Sequence, residues 1–503
     1  MREIEISLNR NHMKQLVYGT FFAFLLGSSC MPGELTPVRT VLELDLGETK
    51  EMVLTDGSNA TLTLEQIEVV RDSLRGAIRD VKVTVVVNGE KTILGSGNYT
   101  LPVVAGGVQI DCPVVKGYYS NSNADRWGLT GDARLRLWPT GFSLMEPGTF
   151  VYPVRQKWFA SMTQSGNEPP YVDWGENPEN KNIYYHSGHD FGGAEGRDEI
   201  ISAMDGVVIS ANGDTLEGYH DFPGDIRPDV VWVRSDLGWF IRYSHLDSTD
   251  PGIRIGTRVK KGQPIGLMGK QGGSGGWVHL HFELKTRETA SGAWGTEESY
   301  AYLWEAYIKQ YKPKVMAVAR PHHLVWTGQE TLLDGSKSKS MEGEITSYEW
   351  SFSDGSTALG PTQKKAYAEP GEYSEILKVT DSHGNVDYDF AVVQVYDRNQ
   401  PGQTIPVLQP AYYPSLDIRA GDPVTFLVRT FNTDTGNEIW DFGDGTDPVS
   451  VRSEPPTHQN YTEGVFAETV HTFGKAGDYI VSVERHDSLG HRASAHLHVV
   501  VQE

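Results

Sequence analysis

Three short stretches carry side chains able to do chemistry. In Tyr184-Tyr185-His186-Ser187-Gly188-His189-Asp190-Phe191-Gly192-Gly193, a histidine and an aspartate stand four residues apart. Both reach one metal ion if the chain bends between them, and Gly188 permits that bend. A hydrogen-bonded His–Asp pair is the simpler outcome of the same spacing. In Val278-His279-Leu280-His281-Phe282-Glu283-Leu284, strand alternation puts His279 and His281 on one face while Leu280 and Phe282 point into a core. Two neighbouring imidazoles are costly unless something uses them. A metal ligand beside a catalytic histidine is such a use, and a solvated strand face is the alternative. Finally, Phe240-Ile241-Arg242-Tyr243-Ser244-His245-Leu246 reads as a strand whose end presents His245, which by itself is ordinarily structural.

Taken together, the three stretches resemble the lysostaphin/LytM-type zinc endopeptidases, the M23 peptidase family. The elements that must position them are similar too. Residues 200–209 look like the family's strand after the first ligand motif, and 256–266 resemble its Gly-flanked turn. Gly269, Gly272, Gly273, Ser274, Gly275 and Gly276 supply a glycine-rich approach to the His-x-His strand. The resemblance covers about residues 150–290 and implies an antiparallel β-sheet domain with His186, Asp190 and His281 as zinc (Zn2+) ligands. Three N/O ligands with a fourth position open suit a catalytic zinc, which lowers the pKa of water there toward about 7. His279 and His245 match the family's two non-ligand histidines. The resemblance implies that they orient or deprotonate that water and stabilise the tetrahedral oxyanion.

The chain departs from the pattern in places. His189 stands where the family usually has an aliphatic residue, and reads as either an extra polar group near the metal or a decoy. The stretch 213–229, with Asp214, Glu217, His220, Asp221, Asp225 and Asp229, is longer and more acidic than a simple loop. It reads equally as a wall of the substrate groove or as a solvated surface loop. Glu283 lies two residues past His281 on the same strand face, close enough to support it from behind.

Around this segment the chain reads as mainly β and multidomain. Residues 30–150 form a β-rich accessory domain without a catalytic constellation; 62–79 fit either an amphipathic helix or two strands, and Asn88-Gly89 signals a hairpin. Residues 151–312 form the peptidase-type domain, closed by a helix over 298–312 before Pro313. Residues 313–400 and 401–503 are an internal repeat with a period of roughly 90 to 105 residues, so each copy is a domain. Trp350-Ser351-Phe352-Ser353-Asp354-Gly355 recurs as Trp440-Asp441-Phe442-Gly443-Asp444-Gly445. Both copies resemble PKD domains, Ig-like β-sandwiches in which these aromatics fill the core.

Residues 1–29 read as a secretory signal: a charged start, the apolar run 16–26, then Gly27-Ser28-Ser29 before Cys30. The apolar run falls short of the roughly 20 residues of a membrane-spanning helix. A Cys after small residues resembles a bacterial lipoprotein processing site, although Gly27 replaces the usual branched aliphatic. The resemblance implies Cys30 as the lipidated first residue, and an ordinary cleaved signal is the alternative. Cys112, the other of two cysteines, reads as a buried small hydrophobe.

The 503 residues carry 44 Lys+Arg against 66 Asp+Glu, a net charge of −22. Such a charge argues against nucleic acid as a partner and against bulk attraction to anionic membranes. The expected function is a zinc endopeptidase exported to the cell envelope of a two-membrane bacterium. A lipid anchor is its only membrane contact, and it cuts peptide cross-links or bridges of peptidoglycan. A non-hydrolytic envelope scaffold and a zinc protease for other Gly-rich extracellular proteins are the alternatives. The PKD pair is expected to dock to a surface polymer or protein.

Overall fold

The sheet that carries the three stretches is antiparallel throughout. Its strands are β1 (His189–Gly192), β2 (Gly206–Ala211), β3 (Asp214–Thr215), β4 (Val231–Ser235), β5 (Phe240–Ser244), β6 (Arg258–Val259), β7 (His279–Arg287) and β8 (Trp294–Glu297). The spatial order is β1-β7-β5-β4-β2-β3, with β6 added to β2 and β8 to β7. Alternation drives the arrangement: Leu280, Phe282 and Leu284 of β7 are all 0% exposed, as are Ile241 and Tyr243 of β5. Cross-strand register sets Asp190 opposite His281 and Ser244 opposite the same residue from the other side.

The computed structural model describes residues 38–121, 126–162, 171–172, 183–184, 186–287, 292–455 and 462–503. Residues 1–29, which read as a secretory signal, and Cys30 lie outside the described residues. Among the described residues no helix is long and apolar enough to cross a membrane.

One α-helix, α1 (Tyr300–Tyr311), follows β8. Its inner side packs Tyr300, Trp304 and Tyr307 against Trp158, and Tyr307 against Tyr152, with ring centroids 5.1–6.0 Å apart. It ends on Lys312 in a left-handed conformation, whose N–H bonds back to Ile308, and Pro313 prevents continuation.

The accessory region is built from two four-stranded antiparallel sheets. Residues 62–79 are not helical: Asn59–Arg71 and Ile78–Val87 pair as strands. The Asp72 carboxylate closes the turn between them by accepting the N–H groups of Leu74, Arg75 and Gly76. Register shifts at Leu64/Gln66 and Val70/Arg71 break the two-residue period and so imitate helical spacing. Cys112 is 2% exposed inside this core, and burial pushes its thiol up to about 12.

A buried charge network ties this region to the sheet that carries the histidines. Arg136 holds Asp111 within its own region and reaches across to Glu297 of β8 at 2.8 Å. Arg39 joins it on Glu297 at 3.0 Å. Burial would raise the Glu297 carboxyl, but Arg39 and Arg136 bring it down to about 2.

In the two C-terminal sandwiches Trp350, Trp440 and Phe442 are at most 1% exposed, and each Trp lies stacked with the Phe two residues on. Their sheets are not independent. Strand Gly371–Asp381 of the first pairs in parallel with Arg492–Val501 of the second, Gly371 opposite Arg492. One sheet of nine strands therefore runs through both domains.

Candidate metal centre

Directly opposed residues of an antiparallel pair share a face, so the β1–β7 register brings Asp190 beside His281. His186 joins them across a bend at Gly188, whose φ is +139°. A Cβ on Gly188 would lie 2.6 Å from the Phe282 carbonyl oxygen and 3.2 Å from His281 Nε2. Glycine is thus required twice, by its dihedral and by the close approach.

One ligand atom from each of His186, Asp190 and His281 lies within 4.8 Å of the others. Asp190 Oδ1 is 3.1 Å from His281 Nδ1 and 3.7 Å from His186 Nε2. Tetrahedral bonds of about 2.0–2.1 Å place neighbouring ligand atoms about 3.3–3.4 Å apart, and the observed separations straddle that value. The N,N,O donor set suits a borderline-soft divalent ion. His281 Nε2 is buried with no hydrogen-bond partner among the described residues, and the ring is held through Nδ1 facing Asp190.

Electrostatics favour the ligating protonation states. Burial lowers His186 to about 4, against the pull of Asp190. Burial likewise lowers His281, which Asp190 partly offsets. Burial alone would raise the Asp190 carboxyl, but His279, His186 and His281 hold it far below the usual carboxylate range. Neutral imidazoles and an ionised carboxylate are what a metal needs.

His245 and His279 complete the cluster. β5 ends at Ser244, and His245 leaves it in a left-handed conformation, φ +66°, uncommon for a residue with a Cβ. Asp229 Oδ2 accepts the His245 backbone N–H at 3.3 Å, and Arg227 grips the same carboxylate, donating to Oδ2 at 2.6 Å and to Oδ1 at 3.0 Å. His245 Nδ1 lies 2.6 Å from the Gln271 carbonyl oxygen, and His279 Nδ1 lies 3.0 Å from that of Trp277. A carbonyl only accepts, so both Nδ1 atoms carry the proton and both Nε2 atoms are left as acceptors. His279 Nε2 sits 3.6 Å from Asp190 Oδ1.

The remaining candidates separate clearly. His189 points to the opposite face from Asp190, where its Nδ1 meets Ser299 Oγ at 3.0 Å and its Nε2 lies 3.4 Å from Glu298. It belongs to the packing behind the site; burial lowers it to about 3 and lifts Glu298 to about 7. Glu283 is fully buried and bound by Thr296 at 2.7 Å and Lys285 at 3.0 Å. The acidic stretch divides: Asp225 pairs with Arg242, Phe222 packs on Trp232, and Asp229 alone reaches the histidines. The supporting parts that sequence reasoning did not single out are Arg227 and the carbonyl of Gln271. Arg227 grips its near neighbour Asp229, but the bond only matters because Asp229 meets His245 sixteen residues on, and Gln271 acts through its backbone carbonyl on a residue twenty-six positions away.

Comparison with known proteins agrees with this geometry. Residues 184–292 match the family model described as Peptidase family M23, and residues 312–395 and 411–501 each match a PKD domain. Collagenase ColA of Clostridium perfringens (strain 13 / Type A) is 32% identical over 94 residues, 19% of this chain and 8% of that protein. Microbial collagenase of Vibrio alginolyticus is 29% identical over 107 residues, 19% of this chain and 13% of that protein. The chain therefore spans only a small part of the length of these curated relatives. Among solved structures, lytM of Ruminococcus gnavus is similar at 22% identity, covering 31% of this chain and 60% of its own, with a TM-score of 0.21. Helicobacter pylori Csd3 is similar at 15% identity, covering 51% and 83%, with a TM-score of 0.19. The chain carries a peptidase domain of family M23 followed by two PKD domains.

Proposed function

We propose that this protein is an exported zinc-dependent endopeptidase that hydrolyses peptide cross-links or bridges of bacterial peptidoglycan. The observation that carries the reading is the convergence of His186, Asp190 and His281 with the His245–His279 pair on one face of one sheet. Zinc held by His186, Asp190 and His281 would supply Lewis acidity and acidify water toward a pKa of about 7. His279, with Nε2 as acceptor beside Asp190, takes the proton released by the attacking water and returns it to the leaving amine. His245, its Nδ1–H held on the Gln271 carbonyl, presents Nε2 as an acceptor that would orient the attacking water beside His279. Asp229 and the Gln271 carbonyl keep that ring from rotating away.

The net charge of −22 offers no attraction to an anionic wall, so substrate must be held by groove contacts. Lipidation at Cys30 would keep the enzyme in an envelope membrane near its target, and the PKD pair would contact a surface polymer or protein.

The test is metal analysis of dialysed protein together with release of muropeptides from purified sacculi. One zinc per chain and soluble muropeptides are expected. A zinc-loaded chain that binds sacculi and releases nothing would instead favour the scaffold reading. The similarity to two collagenases, short as it is, favours a second reading in which other Gly-rich proteins are cut. Gelatin degradation without muropeptide release would select it.

A further inference from the structure

We propose that the second PKD domain is a working part of the peptidase site, positioning His279 and His245 by bracing the glycine-rich loop 269–278. The proposal rests on the reading of these two histidines as the groups that handle the attacking water. The loop has no regular secondary structure between Met268 and His279, and its glycines give it little stiffness of its own. Yet both rings depend on it: His279 follows it directly, and His245 is anchored to its Gln271 carbonyl.

The stiffness comes from the neighbouring domain. Gln409, on strand Val407–Tyr413, is 0% exposed. Its Oε1 accepts the Val278 N–H at 2.9 Å and its Nε2 donates to the Val278 carbonyl at 2.7 Å. This two-bond clamp does for Val278 what an adjoining strand would do. Arg429, also 0% exposed, donates to the Gly276 carbonyl at 3.2 Å. Between them Trp277 lies on Phe431, with centroids 4.1 Å apart and planes 4° from parallel. Three consecutive residues before His279 are thus each held by the second PKD domain. Polar side chains as long as Gln and Arg are seldom fully buried without a bonding task. The metal-ligand residues stand instead on β1, β7 and the Gly188 bend, so loosening the loop should separate catalysis from metal binding.

The experiment compares full-length wild type with Gln409→Ala, Gln409→Glu and Glu468→Gln. It measures hydrogen exchange across the chain, zinc content, and kcat and KM on a muropeptide. For Gln409→Ala, exchange should rise selectively over 270–279, zinc should stay stoichiometric, and kcat should fall about 10- to 100-fold with KM little changed, the scale of an ångström misplacement. Gln409→Glu keeps the side-chain volume and the acceptor for the Val278 N–H but sets a buried carboxylate against the Val278 carbonyl oxygen, so its effects should be at least as large as those of Gln409→Ala. Glu468→Gln removes the exposed pair with Arg197 across the same seam and should change nothing. Wild-type exchange and kcat in Gln409→Ala would overturn the proposal, as would a chain-wide rise in exchange with loss of zinc. If wild type cleaves no peptide at all, the endopeptidase reading fails, and the exchange pattern alone still decides whether the brace exists.

Discussion

The rings of His245 and His279 lie 4.6 Å apart, inclined at 56°, and each fixes its Nδ1 on a backbone carbonyl. The pair is thereby held with two acceptor nitrogens, that of His279 3.6 Å from Asp190, and outside the group His186, Asp190 and His281. That division of labour predicts different losses from two neighbouring substitutions. His281→Ala should abolish both zinc binding and hydrolysis. His279→Ala should retain zinc while kcat falls about 10²- to 10⁴-fold, the range for losing a general base. Atomic absorption on dialysed protein alongside turnover distinguishes them; equal zinc loss in both would refute the assignment.

Gly188→Ala tests the bend. The added methyl meets the Phe282 carbonyl oxygen at 2.6 Å in a backbone conformation, φ +139°, that disfavours any Cβ. A cost of about 1–3 kcal/mol is expected, with a weakened zinc affinity because His186 can no longer reach Asp190. Zinc titration against a chelating dye and urea unfolding would read the two effects; an unchanged affinity would place His186 outside the metal site.

Asp198 gives a pH-dependent test away from the metal ligands. It is 1% exposed, and burial lifts it to about 7, an N–H bond from Ala194 only partly opposing. Its folded pKa is therefore above its unfolded one, near 3.9. Stability from this group is fully present below about pH 4 and is lost as pH rises through about 7, by up to about 4 kcal/mol. Asp198→Asn keeps an acceptor for Ala194 and does not titrate. Relative to wild type, its urea midpoint should rise between pH 5 and pH 8, and parallel midpoints would contradict the buried-carboxyl account.

Arg136 supports two buried carboxylates, Asp111 and Glu297. Arg136→Ala leaves them short of a cation and should destabilise the protein by about 3–5 kcal/mol. The double change Arg136→Met with Glu297→Gln should recover part of that loss, because fewer buried charges remain unpaired. Urea unfolding of the three proteins measures this, and a single-variant loss under about 1 kcal/mol would show the network to be solvated.

Much of the site could be read in one dimension because its logic is local. The alternation in His279-Leu280-His281-Phe282 places two imidazoles on one face wherever that strand lies, and the structure buries Leu280 and Phe282 completely. The repeated Trp-x-Phe steps announce sandwich cores for the same reason. Local pattern left a choice open where pairing breaks period: the bulges in Asn59–Arg71 gave a strand helix-like spacing, so 62–79 fitted either a helix or two strands, and the structure forms the strands. His189 stayed ambiguous because its neighbours Ser299 and Glu298 lie over a hundred residues away.

By itself the sequence determined which residues could act as metal ligands and proton carriers, and that β-sheet would present them. Residue type and a two-residue period are local properties that survive any packing. Tertiary structure alone decided that Asp229 and Gln271 hold His245, that His189 faces away, and that Gln409 closes on Val278. Those contacts join segments far apart in the chain, and they exist only once burial has excluded water and left each polar group to find a protein partner.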